Sequence, residues 1–108
     1  MNEACHAKAL ASVMMERGRQ EQRKDEGRFL YTCADEGLTH AERFTILGEE
    51  VGEVAREALT NNGRRLARDT EGTDVALYKE LAQVAAVAVA WMEYLIDTSY
   101  EVSQWGSS

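Results

Sequence analysis

Hydrophobic positions recur at three- and four-residue spacing in three separated stretches of this chain, the pattern of amphipathic helices. The first stretch runs from about Glu3 to about Lys24, with Ala7, Leu10, Ala11 and Met14 as its expected inner stripe and a strongly charged C-terminal half. Gly27 ends it, and residues 28–38 read as a loop carrying Phe29 and Tyr31. Thr39 and Glu42 form a capping-box pattern that opens the second helix, which Asn61, Asn62 and Gly63 close with residues tolerant of the left-handed conformation. A polar linker over 64–72, holding Arg64, Arg65 and Arg68, leads to Thr73 and Asp74, which cap a third helix reaching about Asp97. The tail from Ser103 to Ser108 reads as frayed, with Trp105 able to pack back on the body.

The phase of the polar residues within these helices carries the chemistry. At about 100° per residue, Leu77, Val84, Val87, Trp91 and Leu95 fall within about 60° of Glu80, so this carboxylate points with the apolar stripe. Gln83 lies beside it, while Lys79, Glu93 and Asp97 read as a solvated face. In the second helix Phe44, Leu47, Val51, Val54, Ala55 and Ala58 form the expected stripe. Glu50, Glu53 and Glu57 run along its edge, and Glu49 is rotated farther away. Ala85, Ala86, Ala88 and Ala90 occupy more than one face of the third helix, which predicts cover on several sides, part of it from another subunit.

A carboxylate turned toward a core is costly unless a cation or hydrogen bonds neutralise it. Glu50 and Glu53 on adjacent turns would also repel one another and raise each other's pKa. A divalent ion held between two helices resolves both problems. Mg2+ takes oxygen ligands, keeps several waters and commonly completes its shell with substrate phosphates, so a metal-held phosphate is the expected substrate group.

Composition narrows the picture. The chain has 108 residues, which predicts a single domain over 1–108, and the absence of proline favours an all-α, mostly helical fold. A net charge of −7 argues against a nucleic-acid polymer as partner, since phosphate backbones need a basic face. No basic flank precedes an apolar run at the N-terminus, and Glu80 and Glu93 bracket the longest apolar stretch. A cytoplasmic protein with no membrane partner and free thiols at Cys5 and Cys33 is expected. Glu3 and His6 match half of a di-iron carboxylate pattern that needs a second copy the chain lacks, and His40 reads as an exposed first-turn residue.

The run Glu49-Glu50-x-x-Glu53, followed at a loop-and-helix distance by Glu80-x-x-Gln83, resembles the metal motifs of the all-α nucleoside triphosphate pyrophosphohydrolases, the MazG-like group. Ile46-Leu47-Gly48, the stretch from Glu80 to Trp91 and the segment Glu16-Arg17-x-Arg19-Gln20 are similar to short single-domain members, so the resemblance spans about Glu16 to Leu95. It departs at Gln83, where the family's second motif ends in Asp; a carboxamide offers a carbonyl oxygen but no charge. The resemblance implies a helical bundle of three main helices per chain, completed as a homodimer or homotetramer. It implies hydrolysis between the α and β phosphates of a nucleoside triphosphate, giving a monophosphate and pyrophosphate.

In that reading Glu50, Glu53, Glu80 and Gln83 hold Mg2+, with Mn2+ as a possible substitute, and Glu49 orients the attacking water or completes a metal shell. Lys79, Arg64, Arg65 and Arg68 are candidates for phosphate contact. Phe29 and Tyr31 are candidates for stacking on the base, whereas Trp91 reads as core. The alternative is a helical module that binds nucleotides or proteins with weak or no catalysis, or a structural oligomer whose glutamates are solvated.

Overall fold

The computed structural model describes residues 2–61 and 73–106. Helix α1 spans Glu3–Asp25, α2 His40–Asn61, α3 Thr73–Thr98 and a short α4 Tyr100–Gln104. Their ends carry the expected signals. The Asn2 side chain accepts from the Cys5 amide to start α1, and Gly27, at φ +78°, follows its C-terminal turn. At α2 the predicted capping box is reciprocal: the Glu42 N–H donates to Thr39 Oγ1 at 3.0 Å and the Thr39 N–H to Glu42 Oε1 at 2.8 Å. The proposed stop beyond Asn61 and the arginine-bearing linker, Arg64 included, lie outside the described residues. Ser103 and Gln104, expected to fray, belong to α4, which the Ser99 side chain caps by accepting from the Val102 amide. Trp105 does not pack back and is 85 % exposed.

Helix α3 is the hub. Helices α1 and α2 each pack along it and α4 follows its end, but α1 and α2 do not pack on one another. The space between them is closed partly by the 28–38 loop. Cys33 from that loop, with Val87 and Ala90 of α3, forms the buried core, flanked by Ala34, Ile46, Leu47 and Trp91. Ala86 and Ala90 are fully buried, so part of the alanine surface is covered within the chain. By length and composition, Asp74–Thr98 is the one described helix able to cross a membrane. Val87, Ala86 and Ala90 on it are buried within the chain, whereas Val75, Leu81, Met92 and Ile96 are half or more exposed.

Two stripes differ from expectation. On α1, Ala7, Leu10, Ala11 and Met14 are exposed, and the helix turns Glu16 and Gln20 inward instead. Polar contacts to α3 explain the rotation: Arg17 makes two 3.0 Å hydrogen bonds to Glu93, and the Ser12 and Tyr78 hydroxyls lie 2.6 Å apart. Glu93 is therefore a docking group rather than only part of a solvated face. On α2, Leu47 and Val54 of the expected stripe face inward together with Arg43, Ile46 and Glu50, whereas Phe44, Val51, Ala55 and Ala58 are exposed.

Arg43 decides that orientation. It is fully buried and donates to three loop carbonyls: from Nε to Cys33 at 2.9 Å, from Nη1 to Leu38 and from Nη2 to Asp35. Its guanidinium lies 3.5 Å from the Tyr94 ring centroid. Lys24 Nζ, 2.6 Å from Asp35 Oδ1, ties the same loop to α1. The loop is thus fastened to all three long helices, and with it Phe29 and Tyr31.

Candidate functional site

Glu50 and Glu53 from α2 meet Glu80 from α3 at the place where these helices face one another. One carboxylate oxygen from each lies within 4.8 Å of the others, and this is the one such acidic group among the described residues. Glu50 Oε2 and Glu80 Oε2 are buried without a hydrogen-bond partner. Burial, a hydrogen bond with Glu53 and the charges of Glu53, Glu50 and Glu57 push the Glu80 pKa up to about 7. Glu50 is also raised, chiefly by burial and then by Glu53, Glu49 and Glu16. Apart from the hydrogen bond between Glu80 and Glu53, these oxygens meet no protein donor, and as hard ligands they fit a hard divalent cation such as Mg2+.

Through Glu50 the cluster adjoins a cavity of about 240 Å³ lined from α1, α2, α3 and the loop, which Glu53 and Glu80 do not line. Glu50 belongs to both. From α3 come Gln83 and Val87, from α2 Ile46, from the loop Phe29, Tyr31, Thr32 and Cys33, and from α1 Glu16, Gln20 and Arg23. Glu16 is buried against Arg19 at 2.8 Å and Arg23 at 3.7 Å, and the Arg23 guanidinium sits 5.8 Å from the Phe29 ring centroid. Thr32 is held by its hydroxyl donating to Glu21 at 2.9 Å and by its amide donating to Asp35 at 2.9 Å.

Of the residues singled out from the sequence, Glu50, Glu53 and Glu80 come together, and Gln83 and Tyr31 line the adjoining cavity. Glu49 is exposed and outside the cluster, and Lys79 is exposed and does not line the cavity. His40, although exposed, is engaged: its Nδ1 accepts from Trp91 Nε1 at 3.1 Å and its ring stacks on Trp91 and meets Tyr94 edge-on. Both cysteines are free, and burial pushes the Cys33 thiol pKa up, which disfavours a nucleophilic thiolate.

Sequence reasoning gave no site role to Gln20, named only within the resembling first-helix segment, or to Arg43. The signal for Arg43 was available, since it stands three, four and seven residues before Ile46, Leu47 and Glu50, a charge on a core-facing row like Glu80. Gln20 had no such signal, because its neighbours Arg17, Arg19, Glu21 and Arg23 make the segment look solvated. No protein-family model, curated protein or solved structure matches this chain.

Proposed function

We propose that this protein is a divalent-metal-dependent nucleoside triphosphate pyrophosphohydrolase of the MazG-like kind, cleaving between the α and β phosphates. The observation that carries the reading is the convergence of Glu50, Glu53 and Glu80 with two buried, unpartnered carboxylate oxygens beside a cavity. A structural role would leave such oxygens bonded to protein donors, since an unpaired buried acceptor is costly. Glu50, Glu53 and Glu80, with Gln83 offering a neutral oxygen, would hold Mg2+. Once bound there, Mg2+ supplies charge neutralisation at phosphate oxygens and a more acidic bound water.

The chain's own groups divide the remaining work. Glu50 connects the cluster to the cavity, which fixes the direction in which a substrate lies. Glu49, outside the cluster but adjacent to it in sequence, is assigned to orient the attacking water. Tyr31 is assigned to the nucleoside end. The exposed apolar faces, argued below, make a homo-oligomer the working form. Neutral Gln83 in the motif favours one competing reading, a module that binds metal and nucleotide without turnover.

The test is a panel of ribo- and deoxynucleoside triphosphates with Mg2+ or Mn2+, scored for pyrophosphate. Release from at least one substrate is expected, with Glu53→Gln and Glu80→Gln each abolishing it while the protein remains folded. Full activity in both variants would refute the site, and nucleotide binding without release would establish the competing reading.

A further inference from the structure

Gln20 is nine-tenths buried, with 9 % relative exposure, and lines the cavity, yet its carboxamide makes no hydrogen bond among the described residues. Gln83 lines the same cavity with its carboxamide equally unbonded. Neither carboxamide is among the polar atoms sealed from solvent, so both keep donors and acceptors free for a polar guest in the cavity. Phe29 and Tyr31, 39 % and 46 % exposed, add aromatic rings to the cavity wall, and Arg23 braces Phe29. Planar surfaces beside side-by-side hydrogen-bonding groups suit a flat heterocycle.

We propose that this cavity receives the heterocyclic base of the nucleotide and that the Gln20 carboxamide reads the hydrogen-bonding edge of that ring. The inference rests on assigning the phosphates to Glu50, Glu53 and Glu80, because Glu50 then joins the phosphate end to the base end. Size agrees: about 240 Å³ is below the ~300–1,000 Å³ typical of pockets that enclose drug-sized ligands, so the cavity takes the ring and leaves sugar and phosphates outside. A carboxamide presents one N–H donor and one carbonyl acceptor together, which matches a base edge carrying the complementary pair. Gln20 is thereby a specificity-determining residue. Gln20→Glu keeps the shape but removes the donor, and turns selectivity away from bases whose edge presents a carbonyl.

The experiment separates this proposal from the pyrophosphohydrolase reading by using ligands without phosphate. Uridine, cytidine, adenosine and guanosine are titrated into metal-free protein while the Phe29 and Tyr31 ring resonances are followed. At least one nucleoside should shift both rings saturably, and Gln20→Ala should weaken that binding about tenfold, the value of one hydrogen bond. The matching triphosphate should lose about tenfold in kcat/KM, mostly through KM. If Gln20→Ala does not fold, the isosteric Gln20→Glu must change the order of preference among the four bases. Nucleosides that leave both rings unmoved, or that bind Gln20→Ala as well as wild type, overturn the base pocket even where pyrophosphate release stands. Gln20-dependent nucleoside binding without pyrophosphate release keeps the pocket and removes the hydrolytic reading.

Discussion

At the scale of single residues, Glu80 gathers the opposing forces of the site. Its carboxyl is pushed from the usual 4.5 to about 7 by burial and by neighbouring carboxylates. The folded, metal-free chain therefore binds a proton more tightly than the unfolded chain does. Stability from this group is fully present below about pH 4.5 and is lost as pH rises through about 7. A divalent ion reverses the preference, because it needs the deprotonated carboxylate. Metal-free protein should lose melting temperature between pH 4.5 and 7 by this contribution, and Glu80→Gln should remove that loss. The rise in melting temperature on adding Mg2+ should be small at pH 5.5 and full above pH 8. An equal Mg2+ effect at both pH values would show that Glu80 does not face the ion.

Glu80 was legible from sequence because a lone carboxylate interrupts an otherwise apolar row on α3. Helical phase alone is enough to expose such a residue. Glu50 and Glu53 were legible by the same arithmetic, aided by their close spacing. Glu16 and Gln20 were not legible as buried groups, since their burial depends on α1 docking through Arg17 and Glu93, a long-range pairing that local pattern does not encode.

At the scale of elements, the caps and breaks were readable, and the inward faces of α1 and, in part, α2 were not. Caps are local chemistry between residues a few positions apart, as the Thr39–Glu42 box shows. The face of α2 was only partly legible, because Leu47 and Val54 lie between two apolar rows, one with Ile46 and one with Phe44, Val51, Ala55 and Ala58. Arg43 breaks the tie by capturing the 28–38 loop. Arg43→Met should leave one buried and two partly buried loop carbonyls without their donor and cost roughly 3 kcal/mol in chemical unfolding. Arg43→Lys should recover only part, since an ammonium group cannot span the fork. A loss below about 1 kcal/mol for Arg43→Met would contradict the loop-fastening role.

At the scale of the whole molecule, the chain is short of core. Among the described residues the buried hydrophobic ones are Cys33, Ala86, Val87 and Ala90, and the radius of gyration is 16.0 Å against about 13 Å for a compact domain of similar length. Phe44 and Val51 of α2, 65 % and 50 % exposed, continue the apolar face that α3 does not cover. An added Cβ at Gly48 or Gly52 would meet nothing within 4 Å, so this face has room for a close helix neighbour. Light scattering after size exclusion should give at least a dimer mass, and Val51→Glu should shift it toward the monomer. A monomeric wild-type chain would mean that the exposed face serves something other than self-association.

Divalent-ion binding by Glu50, Glu53 and Glu80 is the claim on which the functional account turns. The most direct measurement is a crystal grown with Mn2+ and a non-hydrolysable nucleoside triphosphate analogue, with data collected for anomalous scattering from manganese. The account predicts a manganese peak among the Glu50, Glu53 and Glu80 carboxylates, with the analogue's phosphates against it. Manganese bound elsewhere with those three carboxylates unliganded would contradict it.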